Sequence, residues 1–234
     1  MSHTNSLWRN ACVVVPMYNE SSVIAEVVSE VLGHFDRVVC VDDGSTDDSA
    51  ALARAAGATV VQHPINLGQG AALETGIRFA LRDPVVSHVV TFDADGQHSV
   101  TDAEAMVRRA VEDDVQVVLG SRFLGSSEQV PLARRLLLRG ATWFSRATTG
   151  LVLSDAHNGL RVLRRDAAQQ LSLKLHGMSH ASEILGKIAA EKWSYVEHPV
   201  TITYTDYSRA KGQRAYNAFN IAFDVAVSRV RHAA

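Results

Sequence analysis

Val89-Val90-Thr91-Phe92-Asp93-Ala94-Asp95-Gly96-Gln97-His98 is an apolar run that ends in two acids one residue apart. The run suits a strand buried on both faces, and such a strand delivers the acids that follow it into solvent together. Paired carboxylates supply the hard oxygen ligands that Mg²⁺ or Mn²⁺ takes, with substrate phosphates completing the shell. Asp and Gly are also ordinary turn residues, so the pattern by itself equally describes a strand followed by an acidic turn.

Similar Val-rich runs at residues 11–15, 37–41, 59–62 and 116–119 join 88–92 as strands buried on both faces. Helical patterns lie between them at 20–32, 47–56, 70–81 and 102–112, with Ser45 and Thr46 before the second, Gly57 after it and Thr101 before the fourth. Strands alternating with helices predict a mainly parallel, doubly wound α/β sheet over the first half of the chain. Ligands of such sheets bind beyond the carboxyl ends of the strands. Three polar clusters fall there: Pro16-Met17-Tyr18-Asn19-Glu20, Asp42-Asp43-Gly44-Ser45 and the segment from Asp93 to His98. They are expected to converge on one edge.

The second half reads differently. Residues 130–149 are helical with Arg134, Arg135, Arg139 and Arg146, and 155–161 form a polar loop leading to Val162-Leu163. A helix is expected at 180–191. A β-like stretch follows at 195–204, where Val196, Val200, Ile202 and Tyr204 alternate and Pro199 suggests an edge or bulge. Residues 207–214 read as a mobile polar loop and 216–230 as an apolar closing helix.

With 234 residues and 47% hydrophobic content, one continuous domain over 1–234 is expected, without repeats or linkers. A net charge of −2 provides no global basic field, which argues against a nucleic-acid partner. Cys12 and Cys40 sit inside apolar runs and read as buried hydrophobes of a reducing compartment rather than as a disulfide or metal pair. Residues 1–10 lack a signal-like apolar stretch, and no run reaches the roughly 18–20 apolar residues of a membrane span. The expectation is a cytoplasmic protein, for which peripheral contact with the inner face of the plasma membrane would need only an amphipathic face or basic patch.

The segment Asn66-Leu67-Gly68-Gln69-Gly70-Ala71-Ala72 invites a dinucleotide reading, but the third glycine is missing and the segment follows the third strand. It reads instead as a tight turn opening a helix. In Asp42-Asp43-Gly44-Ser45-Thr46-Asp47, a carboxylate at a strand end can accept hydrogen bonds from a base N–H or a ribose hydroxyl.

In order and spacing these blocks, with Gly120-Ser121-Arg122-Phe123 and Asp155-Ala156-His157-Asn158-Gly159-Leu160-Arg161, resemble the inverting family 2 glycosyltransferases of GT-A fold. The likeness is to the dolichol- or polyprenyl-phosphate mannose and glucose synthases in particular, and it spans most of the chain. It implies a GT-A-type, Rossmann-like, mainly parallel sheet flanked by helices, with a helical and β-hairpin-like acceptor region toward the C-terminus. Residues from about 10 to 122 would form the nucleotide-sugar half and those from about 123 to 234 the acceptor half.

The resemblance further implies a UDP- or GDP-hexose donor, a polyprenyl or dolichyl phosphate acceptor and a divalent Mg or Mn cofactor. Pro16, Tyr18, Glu20 and Asp43 would line the base and ribose pocket, with Asp42 structural. Asp93, Ala94, Asp95 and Gln97 would serve the diphosphate, and Asp93, Asp95 and Gln97 the metal. Arg122 would reach a phosphate, a task suited to its guanidinium fork. Asp95, Arg122 and Asp155 are the expected catalytic set, Asp155 with Arg161 on the acceptor side or in an ion pair rather than as a base. His157 and Glu183 are secondary candidates, and His98 and His180 read as structural histidines.

A phosphate monoester, with a second pKa near roughly 6, needs no base, whereas a sugar hydroxyl does. Basic residues such as Arg134, Arg135, Arg139, Arg209, Lys211 and Arg214 would then take the place of the base. The membrane-spanning carboxyl tail that many such synthases carry is not expected from these residues, and Leu136-Leu137-Leu138 stands where a hydroxyl residue often occurs. The alternatives are a family 2 enzyme with a saccharide acceptor, a nucleotidyltransferase, and a nucleotide-sugar-binding protein without turnover.

Overall fold

The computed structural model describes residues 8–124, 146, 149–156, 158–174 and 180–203. Seven strands form one sheet: β1 (Ala11–Met17), β2 (Val38–Asp42), β3 (Thr59–Gln62), β4 (His88–Thr91), β5 (Val117–Ser121), β6 (Arg161–Arg164) and β7 (Tyr195–Pro199). Their order is β3-β2-β1-β4-β6-β5-β7. β1 pairs in parallel with β2 and β4, β2 with β3, and β5 with β7, while β6 runs antiparallel between β4 and β5. Six strands therefore send their carboxyl ends to one edge, and the reversed β6 sends its amino end there.

Helices α1 (Ile24–Leu32), α2 (Ser49–Ala55), α3 (Gln69–Ala80), α4 (Val100–Glu112), α5 (Arg165–Gln170) and α6 (His180–Glu191) cover the sheet. The two-residue alternation of the strands divides the apolar side chains. Val13, Val15, Cys40 and Val90 pack with Ile24, Val28, Val31, Met106 and Val107 of α1 and α4. On the opposite face Cys12, Val14, Val39, Val41 and Val89 meet Ile77 of α3, Ala167 of α5 and Ile184 and Ile188 of α6. Each fully buried Val, Leu or Ile contributes roughly 1.5–3 kcal/mol relative to exposure. Cys12 and Cys40 lie on opposite faces of the sheet, and burial pushes both thiols up to about 12, so neither is a ready nucleophile.

Several local expectations shift. Residues 59–62 are not buried on both faces: β3 is the edge strand, covered on one side only by β2, and its side chains are half-buried or exposed. Helix α4 is capped by Ser99 rather than Thr101, the Ser99 hydroxyl accepting from the Asp102 N–H at 3.2 Å. α1 begins only at Ile24, because residues 19–21 are drawn to the neighbouring loop. The stretch 195–204 supplies β7, the sheet's other edge, where a proline is tolerated. The helix expected at 130–149, apart from Arg146 and Thr149, the loop at 207–214, the helix at 216–230, Tyr204, His157, Leu136 to Leu138 and the cations Arg134, Arg135, Arg139, Arg209, Lys211 and Arg214 lie outside the described residues. Among the described residues no helix is long and apolar enough to cross a membrane.

Candidate active site

The three polar clusters meet where β2, β1 and β4 end side by side. The first two interlock. Asn19 adopts a left-handed backbone (φ 54°), donates its N–H to Ser45 Oγ at 2.9 Å and accepts the Thr46 N–H on Oδ1 at 2.9 Å. The Glu20 N–H donates to Ser49 Oγ at 2.7 Å and the Ser21 N–H to Asp47 Oδ2 at 3.1 Å. Pro16 lies buried in β1, Tyr18 is exposed and Glu20 is half-buried at this junction.

Asp42 and Asp43 are both buried. Asp42 accepts from the Ser45 N–H (3.0 Å) and Gln62 Nε2 (3.0 Å) and so shapes the turn. Asp43 accepts from the Leu67 N–H (2.9 Å), the Gly68 N–H (2.7 Å) and His63 Nδ1 (2.7 Å), so its carboxylate faces the 63–68 segment. Gly44 (φ 77°) is required between the two loops, because a Cβ there would lie 2.7 Å from the Ile65 carbonyl carbon.

At the end of β4, Asp93 is held from three sides. Gln69 Nε2 donates to its Oδ1 at 2.9 Å, His98 Nε2 to its Oδ2 at 3.0 Å, and Gly159 packs against the carboxylate. Burial pushes the Asp93 carboxyl up, but the His98 hydrogen bond and the charges of His98, His180 and Arg161 outweigh it and hold it below the usual range. Asp95 moves the other way, raised first by burial and then by the Asp93 charge. The Ala94 side chain between them turns into the core, leaving only its backbone toward the edge.

Asp95 Oδ1 accepts the Gln97 N–H at 3.1 Å, while Oδ2 and the Gln97 side-chain amide have no hydrogen-bond partner among the described residues. No group of three His, Cys, Asp or Glu side chains gathers among those residues as a ready-made metal cage. Mg²⁺ does not need one, since one or two carboxylates with phosphate and water suffice. The all-oxygen set of Asp95 and the Gln97 carbonyl beside Asp93 fits such an ion, whose charge would also relieve the repulsion that raises Asp95.

Arg122 and Asp155 form a bidentate pair, Nε to Oδ2 at 2.7 Å and Nη2 to Oδ1 at 2.9 Å. Glu197 of β7 steadies the loop from below by accepting the Ser154 N–H (2.9 Å), the Ser154 hydroxyl (2.9 Å) and the Asp155 N–H (3.1 Å). Arg161 is buried between the acids, donates from Nε to the Asn158 carbonyl at 3.1 Å, and is pushed down to about 10 by burial against the opposing pull of Asp93 and Asp155. Glu183 accepts the Lys174 N–H on both oxygens.

The sequence profile described as Glycosyl transferase family 2 matches residues 12–172. The chain belongs to this family. A relative from Methanococcus voltae, UDP-N-acetylglucosamine–dolichyl-phosphate N-acetylglucosaminyltransferase, is 28% identical over 233 residues, covering 90% of this chain and 92% of its own. Polyprenol monophosphomannose synthase of Mycolicibacterium smegmatis is 28% identical over 212 residues, covering 85% and 79%. Glucosyl-3-phosphoglycerate synthase from Mycobacterium tuberculosis, crystallised with Mn²⁺ and UDP-glucose, superposes with a TM-score of 0.71 over 99% of this chain and 83% of its own at 18% identity. That likeness establishes the GT-A fold, and the protein is a glycosyltransferase of family 2.

The structure brings Pro16, Tyr18, Glu20, Asp43, Asp93, Ala94, Asp95 and Gln97 to one end of the sheet, and Arg122 and Asp155 to the adjoining β5–β6 end. Sequence reasoning passed over His63, Gln69 as a partner of Asp93, and Glu197. A histidine just past a strand end and a glutamine at a helix start are local signals, but their partners are 20 and 24 residues away, and Glu197 reaches back 42.

Proposed function

We propose that the protein is an inverting, divalent-metal-dependent hexosyltransferase that moves a hexose from a UDP- or GDP-sugar to a polyprenyl or dolichyl phosphate. The observation that carries the donor half is the Asp95 and Gln97 oxygen set, open to a ligand beside an Asp93 whose two oxygens already accept from Gln69 and His98. Asp95 and Gln97 would hold the ion and Asp93 would orient the donor beside it, with Tyr18, Glu20 and the Asp43-anchored turn around the base and ribose. When bound, the ion supplies charge stabilisation to the departing diphosphate.

The acceptor half rests on Asp155. A saccharide hydroxyl would need a base, but both oxygens of this acid are engaged in a bidentate pair with Arg122. A phosphate acceptor is already anionic and is matched by cations, of which Arg122 and Arg161 stand at this edge. The relatives named for dolichyl-phosphate and polyprenol acceptors support the same choice.

The test is product analysis. Radiolabelled UDP- or GDP-hexose incubated with the protein, Mg²⁺ or Mn²⁺ and polyprenyl phosphate is expected to yield a lipid-linked sugar labile to mild acid, of inverted anomeric configuration. Turnover on a glycan with none on any polyprenyl phosphate would refute the acceptor, and release of inorganic diphosphate from a nucleoside triphosphate would refute the reaction class.

A further inference from the structure

We infer that His63 is a positioning residue of the donor site, clamping the Asp43 carboxylate so that the 66–68 turn is held ready for the nucleotide; this rests on the donor reading above. The clamp is a chain of complementary hydrogen bonds. Thr75 Oγ1 on α3 lies 2.9 Å from His63 Nε2, and His63 Nδ1 lies 2.7 Å from Asp43 Oδ1. A neutral imidazole has one donor and one acceptor nitrogen. The carboxylate can only accept, so Nδ1 carries the proton, and in the neutral ring Nε2 accepts from the Thr75 hydroxyl. Asp43 then takes the Leu67 N–H on the same oxygen and the Gly68 N–H on the other.

The turn has little else to hold its shape. Ile65 and Leu67 are exposed, so the segment gains little from core burial. Its fixed points are the Asp43 bonds, the Gly44 backbone pressed against the Ile65–Asn66 peptide, and Gln69, which donates to Asp93. The side chains of His63 and Asp43 are 9% and 4% exposed, so water cannot readily replace a lost partner. The same short segment thus links the acid at the β2 end to the acid at the β4 end, and His63 ties it to α3.

Loosening such a turn makes donor binding carry the ordering that the clamp now provides, which weakens ground state and transition state alike. A loss of that kind raises KM and leaves kcat nearly unchanged.

The experiment compares wild type, His63→Leu, His63→Asn and Thr75→Val for donor KM and kcat, for calorimetric binding of UDP and GDP with Mn²⁺, and for melting temperature. His63→Leu is expected to raise donor KM and nucleotide Kd about tenfold, with kcat within about threefold. His63→Asn, whose amide N–H can take the place of Nδ1, is expected to restore most of the loss, and Thr75→Val to raise KM about threefold. If His63→Leu fails to fold, the Thr75→Val and His63→Asn values decide the matter. Unchanged donor KM in the Leu or Val variant alongside a lowered melting temperature would overturn the inference and leave His63 a packing residue. Failure of the wild type to bind either nucleotide would instead overturn the donor reading, and the inference with it.

Discussion

Replacing Asp155 by Asn is expected to cost more than any other single polar change at the β5–β6 end of the site. Its side chain is 1% exposed and that of Arg122 is 11% exposed, so the pair is nearly dry. The carboxylate accepts three donors from Arg122: Nε at 2.7 Å, Nη2 at 2.9 Å and the backbone N–H at 3.2 Å. Removing one partner of a buried pair leaves the other charge uncompensated and typically costs about 3–5 kcal/mol. For a chain of this length each kcal/mol lowers the melting temperature by about 2–4 °C, so Asp155→Asn should lose roughly 6–20 °C.

The Arg122→Met, Asp155→Asn double variant removes both members of the pair and should recover at least half of that loss, because an intact buried pair is worth little net against apolar replacement. Calorimetric melting of wild type, both single variants and the double variant closes the cycle. A loss below about 1 kcal/mol in Asp155→Asn, or a double variant whose loss equals the sum of the singles, would refute the coupling. It would also reopen Asp155 as a base, since only the pairing argues against that role.

Asp95→Asn should abolish the additional melting shift that Mn²⁺ gives in the presence of UDP or GDP, and an unchanged shift would place the metal elsewhere. Gly159→Ala would set a methyl group against the Asp93 carboxylate, 2.9 Å from its Cγ, and is expected to lower stability by about 1–3 kcal/mol and to weaken nucleotide-dependent Mn²⁺ binding in calorimetry. His88 is buried at the start of β4, its Nε2 has no partner among the described residues, and burial pushes its pKa down to about 4. The unfolded chain takes up this proton near pH 6.5 and the folded chain does not until pH 4, so stability should fall as pH drops across that window and level off below it. The contribution is up to about 3 kcal/mol, and denaturation of His88→Phe across the same window should lack it.

The first half of the fold was legible because its information is local. Val13 to Val15 and Val89 to Val90 are runs that suit a strand covered on both faces, and polar residues follow where the strand ends. Residues 59–62 look the same in sequence yet form a half-exposed edge, because edge position depends on strand order and not on composition. The acids were legible as candidates, but their partners were not. Nothing near Asp43 indicates that its carboxylate is committed to His63, Leu67 and Gly68, and nothing near Asp93 announces Gln69.

The reversed β6 explains why the acceptor side was harder to read than the donor side. A rule that seeks ligands after strands finds Glu20, Asp43 and Asp95, since each follows its parallel strand. The residues from Asp155 to Asn158 precede β6, and only because β6 is antiparallel does its amino end reach the same edge. The reversal has a chemical consequence. It sets Gly159 against Asp93, with the Thr91 hydroxyl donating to the Gly159 carbonyl at 2.6 Å, and it buries Arg161 within the field of both Asp93 and Asp155. One strand inserted the other way round therefore couples the acid of the proposed donor site to the ion pair of the proposed acceptor site. A perturbation of Arg161 should accordingly be felt at both, whereas Glu197, whose side chain among the described residues hydrogen-bonds to the 154–155 loop alone, should affect the acceptor side.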